Sequence, residues 1–133
     1  LYAANDYLRR RGIPRKPEDL TNHQLIAYGE DQRPPFSDVD WLLNVGTAEG
    51  QAHRPAFKVN SIFGQLRAAE FGLGIVSLPE YMARDARDIS HVLKDVKGPT
   101  IDVYFIYPSE LRYSKRITVF RDFLLRKLSE SPF

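Results

Sequence analysis

The stretch FKVNSIFGQLRAAEFGLGIVSL, residues 57 to 78, constrains the fold more than any other part of the chain. It opens on a short apolar run, FKVN, that reads as a strand. Asn60 then suits the N-cap of a helix from about Ser61 to Phe71, because its side chain can accept a bond from an unpaired amide of the first turn. Ile62, Phe63, Leu66 and Ala69 sit at helical spacing and face a core. Gly72 stops the helix. GIVSL (74–78) is nearly continuous in its apolar character, as a strand covered on both faces requires. Gly72 and Gly74 also resemble part of a dinucleotide-binding turn. That turn, however, needs strand, glycines and helix in this order, so that the pyrophosphate meets the helix N-terminus. Here the order is helix, glycines, strand, and the third glycine position is Ser77. The glycines are a joint.

The rest of the chain repeats the alternation. Residues 3–11 read as a short helix closed by three arginines, Gly12 and Pro14. Pro17 begins a single acidic turn at Glu18, Asp19 and Leu20. LIAY (25–28) and WLLNV (41–45) read as strands, separated by a proline-broken loop at 29–40. Pro79 and Glu80 open a helix to about Arg87, and HVL (91–93) reads as a strand. IDVYFIY (101–107) carries the strongest strand signal, β-branched and aromatic and ended by Pro108. Ile117, Phe120, Leu124 and Leu128 mark an amphipathic helix over about 115–129, with Ser114 as its cap. Strands alternating with helices argue for an α/β fold with a largely parallel sheet.

Composition removes several function classes. The 133 residues contain no cysteine, which excludes disulfides, thiolate nucleophiles and zinc ribbons. No apolar run approaches the roughly 20 residues that span a bilayer. Net charge is +2, from 19 basic and 17 acidic residues, too balanced to mark a nucleic-acid binder. His23, His53 and His91 lack ligand spacing and read as surface or core residues. Ser61 and Ser77 have no nucleophile-elbow context. Asp38 and Asp40 read as solvated turn formers rather than an acid pair. RRRGIPRK (9–16) holds five basic residues without interleaved aromatics, so it reads as a solvated surface. No catalytic constellation and no cofactor is implied. Asn60, Ser61, Ile62 and Phe63 keep functional interest, since a helix starting directly after a strand points free amides off the sheet's carboxyl edge. Such an edge favours an anion; a routine N-cap would look the same in residue types.

With these elements placed, the chain resembles the C-terminal part of a LysR-type transcriptional regulator. The resemblance rests on LYAANDYLRRRGIPRKPEDLTNHQLIAY, the tryptophan of WLLNV, FKVNSIFGQLRAAEFGLGIVSLPEYMA and VYFIYPSELRYSKRITVFRDFLLRKL, in the family's order and spacing. It implies a periplasmic-binding-protein-like (type 2) lobe with a mostly parallel sheet of about five strands flanked by helices. Residues 1–108 would form the second lobe of an effector-binding domain, with hinge passages at Leu1-Tyr2-Ala3 and Tyr107-Pro108-Ser109. Residues 109–133 would form a helix that returns to the first lobe. The opening at Leu1, with Met82 the lone methionine, fits an internal fragment without the DNA-reading winged helix-turn-helix. The resemblance implies sensing rather than catalysis. A small effector, anionic or aromatic, would bind between lobes at Asn60, Ser61, Ile62 and Phe63, with Tyr2 and Ala3 at the hinge. The resemblance also implies a cytoplasmic homo-oligomer that meets promoter DNA only through the absent N-terminal domain. A solute-binding protein of a transport system is the alternative with the same fold.

Overall fold

The structure, a computed structural model, describes residues 1–29 and 37–130. The centre of the loop expected at 29–40 lies outside the described residues. The chain forms β1 (Tyr2–Ala4), α1 (Asn5–Arg11), β2 (Leu25–Tyr28), β3 (Phe57–Val59), α2 (Ile62–Glu70), β4 (Ile75–Val76), α3 (Glu80–Arg84), β5 (Ile89–His91) and α4 (Lys115–Glu130). Single turns of 3-10 helix occupy Pro17–Asn22, Trp41–Asn44 and Ser109–Leu111.

One five-stranded sheet runs in the order β3-β2-β4-β1-β5. β2 pairs in parallel with β3 (Ile26 opposite Phe57) and with β4 (Leu25 opposite Ile75). β1 pairs antiparallel with β4 and with β5, Tyr2 lying opposite both Val76 and His91. Four strands therefore share one direction and β1 alone runs against them. This is the mostly parallel α/β sheet that the alternation of elements predicts. The β3-α2-β4 unit straddles β2, so the helix crosses over it as a parallel connection demands.

Alternation along the strands sorts two cores. Leu25 and Ile75 join Ala3, Tyr7, Leu8, Leu20 and Leu42 on one face. Their neighbours Ile26 and Val76 join Ala68 and Ala69 of α2 on the other, flanked by Tyr2 and Leu78. A period of two places successive residues on opposite faces, and each apolar side chain fully buried this way contributes about 1.5–3 kcal/mol. Small alanines on the inner face of α2 let the helix lie close on the strands. At its far end Gly72 takes φ +71°, which a side chain would resist, and Gly74 passes so near the Gln24 carbonyl that a Cβ would sit 2.4 Å from it. The glycine joint is thus a helix stop and a close crossing.

Some expectations need correction. WLLNV is a 3-10 turn, not a strand. Asp38, at φ +58°, and Asp40 offer their carbonyls to the N–H groups of Trp41 and Leu43, so the run closes on itself while Leu42 enters the core. A short apolar run satisfies either state by pattern alone. IDVYFIY forms no strand either; Val103, Tyr104 and Ile106 are exposed. Ala3 and Ala4 belong to β1, and α1 starts only at Asn5. The last sheet strand is Ile89–His91 rather than 91–93, because Leu93 turns to φ +49°. α3 ends at Arg84, ahead of the positive φ at Asp88. The chain divides into two compact units, Leu1–Pro99 and Thr100–Phe133. The second contains α4 and a Phe105–Phe120 edge contact with centroids 5.6 Å apart.

Candidate functional site

The direction of the strands sets the geometry of the site. Tyr28, Val59, Val76 and His91 end their strands at one edge, and Tyr2 starts β1 beside the last two. Asn60 to Phe63 follow β3 at the same edge. Topology therefore brings Tyr2 and residues 60–63 to one rim, although three strand spacings, about 14 Å, separate β1 from β3.

The cap of α2 is Ser61, not Asn60. Ser61 has extended backbone (φ −147°, ψ 124°), and its Oγ accepts from the Gly64 N–H at 3.2 Å. The Ser61 carbonyl takes the Gln65 N–H at 2.8 Å. Asn60 sits one residue outside, exposed and packed beside Gly29. Gly64 makes this tight turn possible, since a Cβ there would lie 2.8 Å from the Val59 side chain. Sequence reasoning misses the shift because Asn and Ser are equally good caps.

With those two amides satisfied, the N–H groups of Ile62 and Phe63 have no partner among the described residues. No acidic residue stands in the first turn. Two unpaired donors at the positive end of a helix dipole attract an anion. Phe63 is 73% exposed and offers an apolar surface beside them, whereas Ile62 is half-buried.

The other two candidates differ. Tyr2 is half-buried and stacks on His91 with ring centroids 4.7 Å apart and planes 21° from parallel. Burial pushes the Tyr2 phenol up, and the Glu80 carboxylate adds to this. His91 is held below its ordinary value, first by desolvation. Ala3 has no exposed surface and lies in the core under the sheet, so its side chain is out of a ligand's reach.

Several other polar residues have identifiable partners. Tyr7 is buried; its hydroxyl accepts from the Gln24 N–H at 2.9 Å and reaches His23 Nδ1 at 3.2 Å. Burial, opposed by Asp19, lowers the His23 pKa. His53 binds the Val45 carbonyl through Nε2 at 2.9 Å. Asp40 is more than a turn former, because its Oδ1 accepts from the Tyr28 N–H at 2.6 Å and ties the loop to the end of β2. In the basic stretch, Arg9 pairs with Asp6 at 3.1 Å and Arg10 also meets Asp6 and reaches the Gly72 carbonyl at 3.4 Å. Among the described residues no group of three His, Cys, Asp or Glu side chains could hold a metal ion. No helix of the described residues is long and apolar enough to cross a membrane.

Comparison with known proteins gives this geometry a family. The sequence pattern of the LysR substrate binding domain matches residues 1–129. An "Uncharacterized HTH-type transcriptional regulator" of Haemophilus influenzae is 29% identical over 87% of this chain and 40% of its own length. The "Uncharacterized HTH-type transcriptional regulator YhjC" of Escherichia coli is 26% identical over 96% of this chain and 44% of its own. The chain thus spans about two-fifths of the length of the curated relatives it matches. Among solved structures, CrgA, a LysR-type transcriptional regulator from Neisseria meningitidis, superposes with a TM-score of 0.70 and 25% identity, covering 96% of this chain and 43% of CrgA. The strand order, the helix that opens at the sheet's carboxyl edge and the match over nearly the whole sequence converge: this chain belongs to the LysR substrate-binding-domain family.

Proposed function

We propose that this chain is the effector-sensing part of a LysR-type transcriptional regulator. A small anionic or aromatic metabolite binds at the N-terminus of α2, between this lobe and a second lobe supplied by the rest of the regulator. The carrying observation is the pair of unpartnered amides at Ile62 and Phe63 on the carboxyl edge of the sheet. The carboxylate takes those amides, the exposed Phe63 ring flanks an apolar body, and Tyr2 marks the hinge side of the same rim. Asn60 and Ser61 shape the turn. The names of the relatives, regulators with a helix-turn-helix, favour this over a transport protein of the same fold.

In this reading residues 1–108 form the lobe and its hinge passages. Residues 109–133 carry the helix that packs on the other lobe. The apolar side chains exposed along α4, Val119, Phe120, Phe123 and Leu125, support that assignment. The protein works in the cytoplasm as a homo-oligomer and touches promoter DNA through a winged helix-turn-helix outside these 133 residues. No chemistry is performed on the effector. It shifts the lobes only as far as it prefers one arrangement to another.

Ile62→Pro tests the site directly. Proline is favoured at the first helical position and lacks the N–H in question, and the extended Ser61 suits a residue before proline. Metabolites that raise the thermal midpoint of the wild-type chain should bind the variant about 10- to 100-fold more weakly, the cost of one hydrogen bond to a charged group. Equal binding by the two proteins would remove α2 from the site.

A further inference from the structure

We infer that a cavity at the opposite edge of the sheet, lined by His23, His53 and Arg54, is a second ligand site that takes the phosphate group of a small polar metabolite. β2 begins at Leu25 and β3 at Phe57, so His23 and Arg54 stand before the amino ends of two parallel neighbours. Residues 60–63 follow the carboxyl end of β3, and the two places share no residue. The cavity measures about 440 Å³, within the range of small-molecule sites. Its walls are held in place. Gly46 takes φ +73° and lies so near Pro17 that a Cβ would sit 2.3 Å from the proline carbonyl oxygen, which fixes this loop against the turn at Pro17–Asn22. His53 is anchored twice: its backbone N–H donates to the Leu43 carbonyl at 2.8 Å, and its Nε2 meets the Val45 carbonyl at 2.9 Å. His23 is tied through Nδ1 to the Tyr7 hydroxyl. A ligand therefore meets a formed site and little ordering cost is added to binding.

The charge of the lining has one sign. Among the described residues no Asp or Glu lines the cavity, and the Arg54 guanidinium has no ion pair or hydrogen bond there. Asp19, the carboxylate that acts on His23, is occupied by the N–H groups of Arg15 and Lys16 at 2.8 and 3.1 Å. Each imidazole has one nitrogen left over: Nδ1 of His53, because Nε2 carries its proton toward Val45, and Nε2 of His23. On gaining a second proton an imidazole donates from both nitrogens, and an adjacent anion favours that form. A guanidinium with two such imidazoles suits the near-double negative charge and three acceptor oxygens of a phosphate. A carboxylate, with one charge and two oxygens, uses less of the lining. Thr21 and Gln51, on the same lining, suit the hydroxyls of a polar body.

NMR titration of the 133-residue chain with inorganic phosphate and with acetate, each against sodium chloride at matched ionic strength, provides the test. Phosphate should shift the ring signals of His23 and His53 and the amides of residues 46–54, and bind there about tenfold more tightly than acetate. Signals of Ile62 and Phe63 report the effector rim separately, so the two sites stand or fall apart. Arg54→Met should weaken phosphate at His23 and His53 about 10- to 100-fold, the loss of a hydrogen bond to a charged group. It should leave the thermal midpoint of the unliganded chain unchanged, since Arg54 is exposed and has no partner among the described residues. Arg54→Lys should recover part of the binding, and the wild-type comparison of the two anions stands without either variant. Phosphate shifts no larger than those of chloride would overturn the inference. So would acetate binding as tightly as phosphate, or Arg54→Met binding phosphate as the wild type does.

Discussion

Ile75 and Ile106 sit in apolar runs of similar promise, GIVSL and IDVYFIY, yet Ile75 has no exposed surface and Ile106 keeps 85% of its own. Ile75 lies in β4, paired with β2, and its N–H donates to the Gln24 carbonyl at 2.8 Å. IDVYFIY has the higher β-propensity and forms no strand. Propensity measures how well side chains fit a pleated surface that other strands provide. Residues 1–99 contain that surface for β4. The second unit, by itself, offers 101–107 a helix and a turn but, among the described residues, no strand to pair with. An apolar run thus reports what a segment needs, and the tertiary structure reports whether the need is met.

The largest effect that would sharpen this contrast is Ile75→Ala. Emptying a fully buried site should cost about 2–5 kcal/mol in denaturant unfolding; a loss below about 1 kcal/mol would show that β4 is not a central strand. Ser61→Ala comes next, at about 1 kcal/mol, through loss of the bond to the Gly64 N–H. Asn60→Ala should cost less than that, and the reverse ranking would restore Asn60 as the cap. A smaller effect depends on pH. The folded-state pKa of His23 is depressed by burial, so folding binds fewer protons than the unfolded chain near the ordinary histidine value of 6.5. Its contribution is present above pH 6.5 and is lost as pH falls through the lower folded value. The thermal midpoint should drop on acidification below pH 6.5, and His23→Gln should flatten that part of the profile. Ile106→Thr should change stability least, within about 0.5 kcal/mol, because the side chain is already in water. A cost comparable to that of Ile75→Ala would mean that 101–107 is covered.

Local patterns carry much of the fold. LIAY, the helix 62–70, its glycine stop and the amphipathic α4 are legible because propensity, periodicity and caps agree at each. WLLNV misleads because four apolar residues have no period, and the acceptors that close its turn, Asp38 and Asp40, are recognisable only once they are bent around it. At the site, the stretch 60–63 can be picked out from a strand running into a helix. Whether Asn60 or Ser61 is the cap cannot, and neither can the burial of Ala3.

By itself the sequence determined the strand–helix–strand unit around α2, its glycine stop and the family pattern over residues 1–129, since these follow from short-range sterics and the spacing of apolar side chains. Only the tertiary structure decided that β1 runs against its neighbours and so brings Tyr2 to the rim shared with Ser61. It alone decided that Ala3 and Gln65 are buried. Strand direction and burial depend on contacts between residues far apart in the chain, and no local pattern encodes which of those contacts will be made.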